Sequence, residues 1–196
     1  MSSKSIVSNS VVPSTCDQAV DSPAARLWLG TSGYTNDDWR GLFYPANVAS
    51  SDYLGYYAQH FPIVELNSSF YALPSERVFA GMVDKTRGQT KVLVKVHQSV
   101  THDRTAEASY YQALLAATAP LHEAKVLASY LLQFPYSFRR DPDSRRYLAG
   151  CLQHLKGQPV ALAFRHGSWD DPSVLKTCRD HDIMWMSCDY PQLDKM

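Results

Sequence analysis

Residues 63–97 read IVELNSSFYALPSERVFAGMVDKTRGQTKVLVKVH, and they contain the pattern that repeats along the chain. Two runs rich in Val, Ile and Leu, at residues 63–67 and 91–97, flank a segment with helical spacing of apolar residues at 76–87. Ser75, which follows a proline, is typical of a helix N-terminus. Nearly continuous apolar strands on either side of a helix are typical of a parallel sheet buried on both faces. The stretch therefore predicts a strand–helix–strand unit.

The same alternation extends in both directions along the chain, with about 31 residues from one strand to the next, as in ordinary βαβ units. Two α/β architectures share this pattern: an open doubly wound sheet and a TIM barrel of eight (β/α) units. No glycine-rich nucleotide motif follows the first strand, so a nucleotide-binding open sheet has no support. The other predicted strands lie at residues 27–32, 126–134, 160–164 and 183–188, and the other predicted helices at 52–60, 107–119, 143–155 and 172–181.

Composition is that of a globular domain. The 196 residues carry 19 Lys and Arg against 19 Asp and Glu, and 45 % are hydrophobic, which excludes a disordered or collagen-like chain. The neutral balance disfavours a dedicated nucleic-acid binder but allows a local basic site. We expect residues 1–25 to be a flexible tail and residues 26–196 to be one domain. No apolar run approaches the roughly 18 residues of a membrane span, and no signal peptide is evident.

Four cysteines are present, and none forms a C-x-x-C pair. This spacing disfavours a structural zinc site or a redox motif. A chain of this size and apolar content also needs no disulfides to fold. We therefore expect reduced thiols and a cytoplasmic protein.

Charged and polar residues interrupt the predicted strands. Glu65 and Asn67 are two residues apart and share a face, as do Lys95 and His97. Arg165 directly follows the fifth strand. Because a buried unpaired charge is very costly, these groups should pair or bind a ligand. In a barrel they would point inward, with Glu65 and Lys95 as an internal ion pair and the others near the carboxyl ends of strands, where barrel enzymes carry their sites. Alternatively, the Glu–Lys pair serves only packing and register.

Further polar residues follow the other strands. The first strand ends in G-T-S-G at residues 30–33, where small residues allow the backbone to approach a ligand oxygen, or simply make a tight turn. The turn after the third strand carries His102, which a surface position would explain equally well. The fourth strand ends at Gln133, which either bonds a ligand or satisfies loop backbone. His166 and Trp169 follow Arg165, and Arg with His suits an anion.

An ordered series of short motifs runs through residues 27–191. Each motif alone is weak, but together and in this order they are specific. They are GTSGY at 30–34, FYP at 43–45, VELNSSFY at 64–71, VKV at 94–96, LQFP at 132–135, FRH at 164–166 and DYP at 189–191.

This series resembles the domain of unknown function 72 family, also called YecE-like. The resemblance implies a TIM-barrel-like fold in cytoplasmic bacterial proteins, and it implies no established reaction. Three departures stand out. Tyr34 replaces the usual Trp, Ala163 replaces an acid that usually precedes Phe-Arg-His, and the chain stops at Met196 where the family continues. We therefore expect an incomplete barrel of about six of the eight strands, with the carboxyl-terminal part missing.

The first functional hypothesis is a binding site for an anion at the carboxyl-terminal rim, for a phosphate, a phospho-sugar or a phosphodiester, in a hydrolase or isomerase. Arg165 and Lys95 would neutralise the anion, and His97 or His102 would act as general acid or base. Glu65 is the third catalytic candidate. The ligand-binding candidates are Thr31, Ser32, Asn67, Lys95, Gln133, Arg165, His166, Trp169 and Asp189.

A metal-dependent variant has little support, because only Glu65 and Asp189 are plausible acidic ligands. We therefore expect no metal and no cofactor. The second hypothesis is of another class: a non-catalytic binding or regulatory protein that contacts nucleic acid or a protein partner. An exposed sheet edge could recruit such a partner by strand addition.

Overall fold

The computed structural model describes residues 27–188. Its centre is a curled sheet of six parallel strands arranged in chain order, β1 to β6. This order confirms the parallel α/β prediction and separates the two architectures, because a doubly wound sheet reverses its strand order and a TIM-like barrel does not. The strands are β1 (Gly30–Ser32), β2 (Ile63–Leu66), β3 (Lys91–Lys95), β4 (Leu127–Phe134), β5 (Val160–Phe164) and β6 (Met184–Met186).

Helices follow the strands and pack on the outer face of the sheet. The helices Pro142–His154 and Pro172–Asp180 each begin with an Asp cap and a proline in the first turn: the side chain of Asp141 accepts from the Ser144 N–H, and that of Asp171 from the Ser173 N–H. The helices are α1 (Tyr53–Tyr57), α2 (Glu76–Thr86), α3 (Gln98–Thr101), α4 (Ala108–Ala117), α5 (Ala119–Glu123), α6 (Pro142–His154) and α7 (Pro172–Asp180).

The main core lies between the helices and the outer face of the sheet. Val64, Val94 and Leu132 point into it from three neighbouring strands and are fully buried. Each such side chain contributes about 1.5–3 kcal/mol by burial. A second, smaller cluster lies on the inner face and contains Leu93, Leu131, Ala161 and Ala163. The sheet is thus apolar on both faces at its middle, which explains the continuous apolar runs in the sequence.

Several predicted strands and helices begin or end at other residues in the structure. The first strand begins at Gly30 rather than residue 27, because β1 pairs only with β2 and the pairing starts at Gly30 and Ile63. An ideal Cβ on Gly30 would lie 2.0 Å from the Ile63 carbonyl oxygen, so only glycine allows the two strands to approach. The helix predicted at 107–119 is divided at Thr118, after which α5 begins with Pro120 in its first turn. The turn expected after β3 is the short helix α3.

The described residues limit which of the other expectations can be compared with the structure. The tail at residues 1–25 and the candidate Asp189 lie outside the described residues. Cys151, Cys178 and Cys188 are free thiols. Between residues 27 and 188, no helix has both the length and the apolarity needed to cross a bilayer.

Candidate functional site

The inner face of the sheet carries a row of polar side chains near the carboxyl ends of the strands. Register pairs Glu65 with Leu93, Lys95 with Leu131, and Gln133 with Ala163. Since alternate residues of a strand share a face, the polar members of these pairs lie on the same side as the small inner apolar cluster. Arg165 follows β5 immediately and continues the row. The structure therefore brings the inward-facing candidates together on one rim.

Ser32, Glu65 and Asn67 form a hydrogen-bonded group at the β1–β2 end of this rim. The Ser32 hydroxyl donates to Glu65 Oε1 at 2.9 Å, and Asn67 Nδ2 donates to Ser32 Oγ at 2.5 Å. Asn67 Oδ1 is occluded from solvent and has no hydrogen-bond partner in the described part of the chain. Glu65 is half-buried. The group holds the Glu65 side chain on the inner face of the sheet.

Lys95 is half-buried beside this group and does not make the expected ion pair. Glu65 and Lys95 do not approach within 4.0 Å of each other, so the predicted ion pair between them is wrong. The Lys95 ammonium instead lies 5.2 Å from the centroid of the Phe70 ring. Burial lowers the pKa of Lys95, the Glu65 charge opposes this, and the Arg165 charge lowers it further. Lys95 is thus a poorly solvated cation that no carboxylate of residues 27–188 contacts.

His102 lies within the electrostatic field of both cations. Burial lowers the pKa of His102 below its ordinary value, and the charges of Arg165 and Lys95 lower it further. Its Nδ1 lies 2.9 Å from Thr101 Oγ1, and its ring meets the Phe70 ring edge to face at 4.9 Å. Nε2 makes no hydrogen bond to any of the described residues. His102 is therefore a neutral imidazole with one ring nitrogen available.

His97 differs from His102 because local bonds engage both of its ring nitrogens. It caps α3, where Nδ1 accepts from the Ser99 N–H at 3.1 Å. The ring proton of the neutral form is then on Nε2, which lies 3.0 Å from the Tyr71 carbonyl oxygen and donates to it. These contacts give His97 a positioning role at the start of α3.

The residues after β5 divide into two groups. Arg165 is exposed, and with His166 it lines a cavity of about 250 Å³. His166 Nδ1 accepts from the Ser168 N–H at 3.0 Å. Trp169, by contrast, is only 2 % exposed, donates from Nε1 to the Phe138 carbonyl oxygen at 2.7 Å, and stacks on Phe164 at 4.3 Å. Trp169 also lines the cavity, but its hydrogen bond and its ring stacking are core contacts.

Comparison with known proteins identifies a family and solved structures that share this fold. A family model described as a protein of unknown function, DUF72, matches residues 28–196. The chain belongs to this family. It is 30 % identical over 177 residues to the UPF0759 protein YunF of Bacillus subtilis (strain 168), covering 85 % of this chain and 62 % of that protein. The chain therefore spans less than two thirds of that relative's length.

Two solved structures of the DUF72 family are similar to the chain. One, TM1631 from Thermotoga maritima MSB8, superposes with a TM-score of 0.74 at 33 % identity and covers 85 % of this chain and 66 % of its own. The other, EF0366 from Enterococcus faecalis V583, has a TM-score of 0.73 at 25 % identity and covers 86 % and 62 %. Both matches support the TIM-like arrangement of the six strands.

The remaining candidates of this DUF72 chain are mostly engaged by the protein itself. Thr31 donates from its N–H to Tyr57 Oη at 2.8 Å and from Oγ1 to the Gly33 carbonyl oxygen at 2.6 Å. The Gly33 N–H donates to the Glu65 carbonyl oxygen at 2.8 Å, so the G-T-S-G segment does not offer these groups to a ligand. Gln133 is half-buried, and its side chain makes no hydrogen bond within residues 27–188.

Ala163 is 2 % exposed and lies on the inner face opposite Gln133. An acid at this position would point into the rim beside the cations, whereas alanine leaves the rim more positive. Within the described part of the chain, no group of three or more His, Cys, Asp or Glu side chains could hold a metal ion.

One residue of the rim was missed as a site candidate in the sequence. Phe70 lies between Lys95 and His102 and contacts both. It is held there because Ser69 Oγ lies 2.8 Å from the Leu66 carbonyl oxygen and 2.7 Å from that of Lys95, which ties the β2 loop to the end of β3. Phe70 lies in a short 3-10 helix after β2, and no pattern in the sequence predicts that its ring reaches Lys95 and His102.

Proposed function

We propose that this DUF72 chain binds a small anionic ligand that carries a phosphate group, at the carboxyl-terminal rim of the curled sheet. The observation that supports this most directly is the half-buried Lys95 ammonium without a carboxylate within 4.0 Å among the described residues. A poorly solvated cation of this kind gains strongly from a charge-assisted hydrogen bond. Arg165 adds a second positive charge and a planar donor group suited to phosphate.

His102 is the group to which we assign proton transfer. It is neutral near pH 7 because burial and the two cations lower its pKa, and its Nε2 has no partner in the described residues. An anion bound beside Lys95 and Arg165 offsets their charge and therefore raises the pKa of His102. Binding thus makes the imidazole a better proton acceptor, which would take a proton from an attacking water in a hydrolase or from the ligand itself in an isomerase.

The three described cysteines are free thiols. Because free thiols persist mainly in reducing compartments, we also propose a cytoplasmic location.

Calorimetric titration with inorganic phosphate tests the proposed site. Lys95→Met removes the ammonium and keeps most of the apolar stem, and we expect it to weaken phosphate binding by about tenfold or more. Lys91→Met is the matched control, because Lys91 lies on the same strand at its opposite end, with Nζ bonded to the Lys125 carbonyl oxygen. Equal phosphate affinity in the two variants would refute the proposal.

A further inference from the structure

The hydrogen-bond directions in the group of Ser32, Glu65 and Asn67 can be assigned from chemistry alone. The Ser32 hydroxyl has a single proton, and a carboxylate only accepts, so this proton goes to Glu65 Oε1. Ser32 Oγ must then accept from Asn67, which orients the amide with Nδ2 toward Ser32. Two acceptors are left without a donor in the described residues: Glu65 Oε2 and the occluded Asn67 Oδ1.

An unsatisfied buried acceptor is rare in a folded protein and calls for a specific explanation. Here the amide is held in place by Ser32, and the arrangement fixes the position of the Glu65 carboxylate on the inner face. Glu65 is half-buried and forms no ion pair with a described residue. The β1–β2 end of the rim therefore offers a fixed carboxylate that has capacity for further donors.

The adjoining part of the rim, from β3 to β5, has the reverse character. Lys95 is the last residue of β3 and Arg165 follows β5, and both side chains can only donate hydrogen bonds. Glu65 and Lys95 occupy neighbouring strands and the same face, yet they are more than 4.0 Å apart. A free phosphate ion would satisfy only the cationic end and would be repelled by the carboxylate. A ligand with hydroxyl groups and an anionic group would satisfy both ends.

We propose that the ligand of this rim is a phosphorylated polyol, whose hydroxyl groups donate to Glu65 while its phosphate contacts Lys95 and Arg165. This inference rests on the proposed function, because it assumes that the phosphate occupies the cationic end. A hydroxyl has the chemistry to serve both groups, since it donates its proton to a carboxylate and its lone pairs accept from an ammonium. Ser32 and Asn67 act as positioning residues for the carboxylate.

Two probes of equal length separate the contribution of the hydroxyl groups from that of the phosphate. Glycerol 3-phosphate and propyl phosphate share the three-carbon chain and the phosphate, and they differ by two hydroxyls. We expect the chain to bind glycerol 3-phosphate at least about tenfold more tightly, which is the usual effect of a hydrogen bond to a charged group. In Glu65→Gln this preference should fall to about twofold or less, because the acceptor loses its charge.

Glu65→Gln should bind inorganic phosphate at least as tightly as the original chain does, because the negative charge that repels phosphate is gone. Glu123→Gln, an exposed position at the end of α5, is the control and should change neither preference. Ser32→Ala should reduce the preference partially, with an unchanged near-ultraviolet circular dichroism spectrum showing that the fold is retained.

The outcomes separate the two proposals. If both probes bind equally and this binding depends on Lys95, the polyol inference is wrong and the phosphate site stands. If the preference for glycerol 3-phosphate survives in Glu65→Gln, the hydroxyl groups contact residues other than Glu65 and the inference is wrong. If no probe binds in a manner that depends on Lys95, the proposed function fails and the inference fails with it.

Discussion

Glu65 and Lys95 lie on neighbouring strands and on the same inner face of the sheet, but they do not form an ion pair within 4.0 Å. The carboxylate is held by the Ser32 hydroxyl, and the ammonium lies over the Phe70 ring. The two opposite charges are therefore held apart by separate contacts. This separation leaves each of them able to contact a ligand, and it has consequences for stability and for pH dependence.

The first prediction concerns the stability cost of Lys95. Burial lowers the pKa of Lys95, so the fold disfavours its charged form. Below the lowered pKa both the folded and the unfolded chain are protonated, and the folded chain carries the full penalty; the penalty disappears as the pH rises through the lowered pKa to the ordinary value. At pH 7 we expect Lys95→Met to increase the free energy of unfolding, by at most about 1 kcal/mol because the side chain is only half-buried.

Thermal unfolding measures this effect, since 1 kcal/mol shifts the midpoint by about 2–4 °C in a domain of this size. The gain should shrink as the pH rises through the lowered pKa of Lys95, and it should be gone above the ordinary lysine pKa of about 10.4. A variant that is less stable than the original chain at pH 7 would show that the contact of Lys95 with Phe70 outweighs the cost of burial.

The second prediction concerns the titration of His102. In the free protein its pKa should lie below the ordinary histidine value, because burial, Arg165 and Lys95 all disfavour the imidazolium. Lys95→Met should raise this pKa by removing one of the charges, whereas Lys91→Met should leave it in place. Saturating phosphate should also raise it, because a bound anion offsets both cations. The measurement is the histidine ring chemical shift as a function of pH by nuclear magnetic resonance.

Linkage gives His102 a defined effect on stability. Because the folded pKa is lowered, the unfolded chain takes up a proton first as the pH falls, so stability is lost from about pH 6.5 down to the folded pKa. Bound phosphate should reduce this loss. A His102 titration that does not respond to phosphate at any concentration would place the anion elsewhere.

The third prediction separates the core role of Trp169 from a role in binding. Trp169→Phe keeps a ring in the stack on Phe164 but removes the donor to the Phe138 carbonyl oxygen. A buried acceptor left unpaired costs about 1–3 kcal/mol, so the unfolding midpoint should fall. Phosphate affinity should stay unchanged, because Trp169 is 2 % exposed and its polar atom faces the core. A loss of phosphate affinity without a loss of stability would assign Trp169 to the site instead.

Much of the site could be anticipated from strand periodicity. Glu65 and Lys95 lie on the inner rim as their spacing predicted, because a strand places alternate residues on one face whatever its neighbours are. The distinction between His97 and His102 could not be anticipated. Both are single histidines near the end of β3, and only the positions of Ser99 and the Tyr71 carbonyl oxygen show that both nitrogens of His97 are engaged.

The alternation of strands and helices, the parallel sheet and the polar residues of its inner face can be predicted from the sequence, because they follow from local periodicity and from the cost of burying charge. Three features required the folded chain: the sequential order of the strands, the bond of Glu65 to Ser32 rather than to Lys95, and the position of Phe70 between Lys95 and His102. These features depend on sheet curvature and loop placement, which arise from contacts between residues distant in the chain.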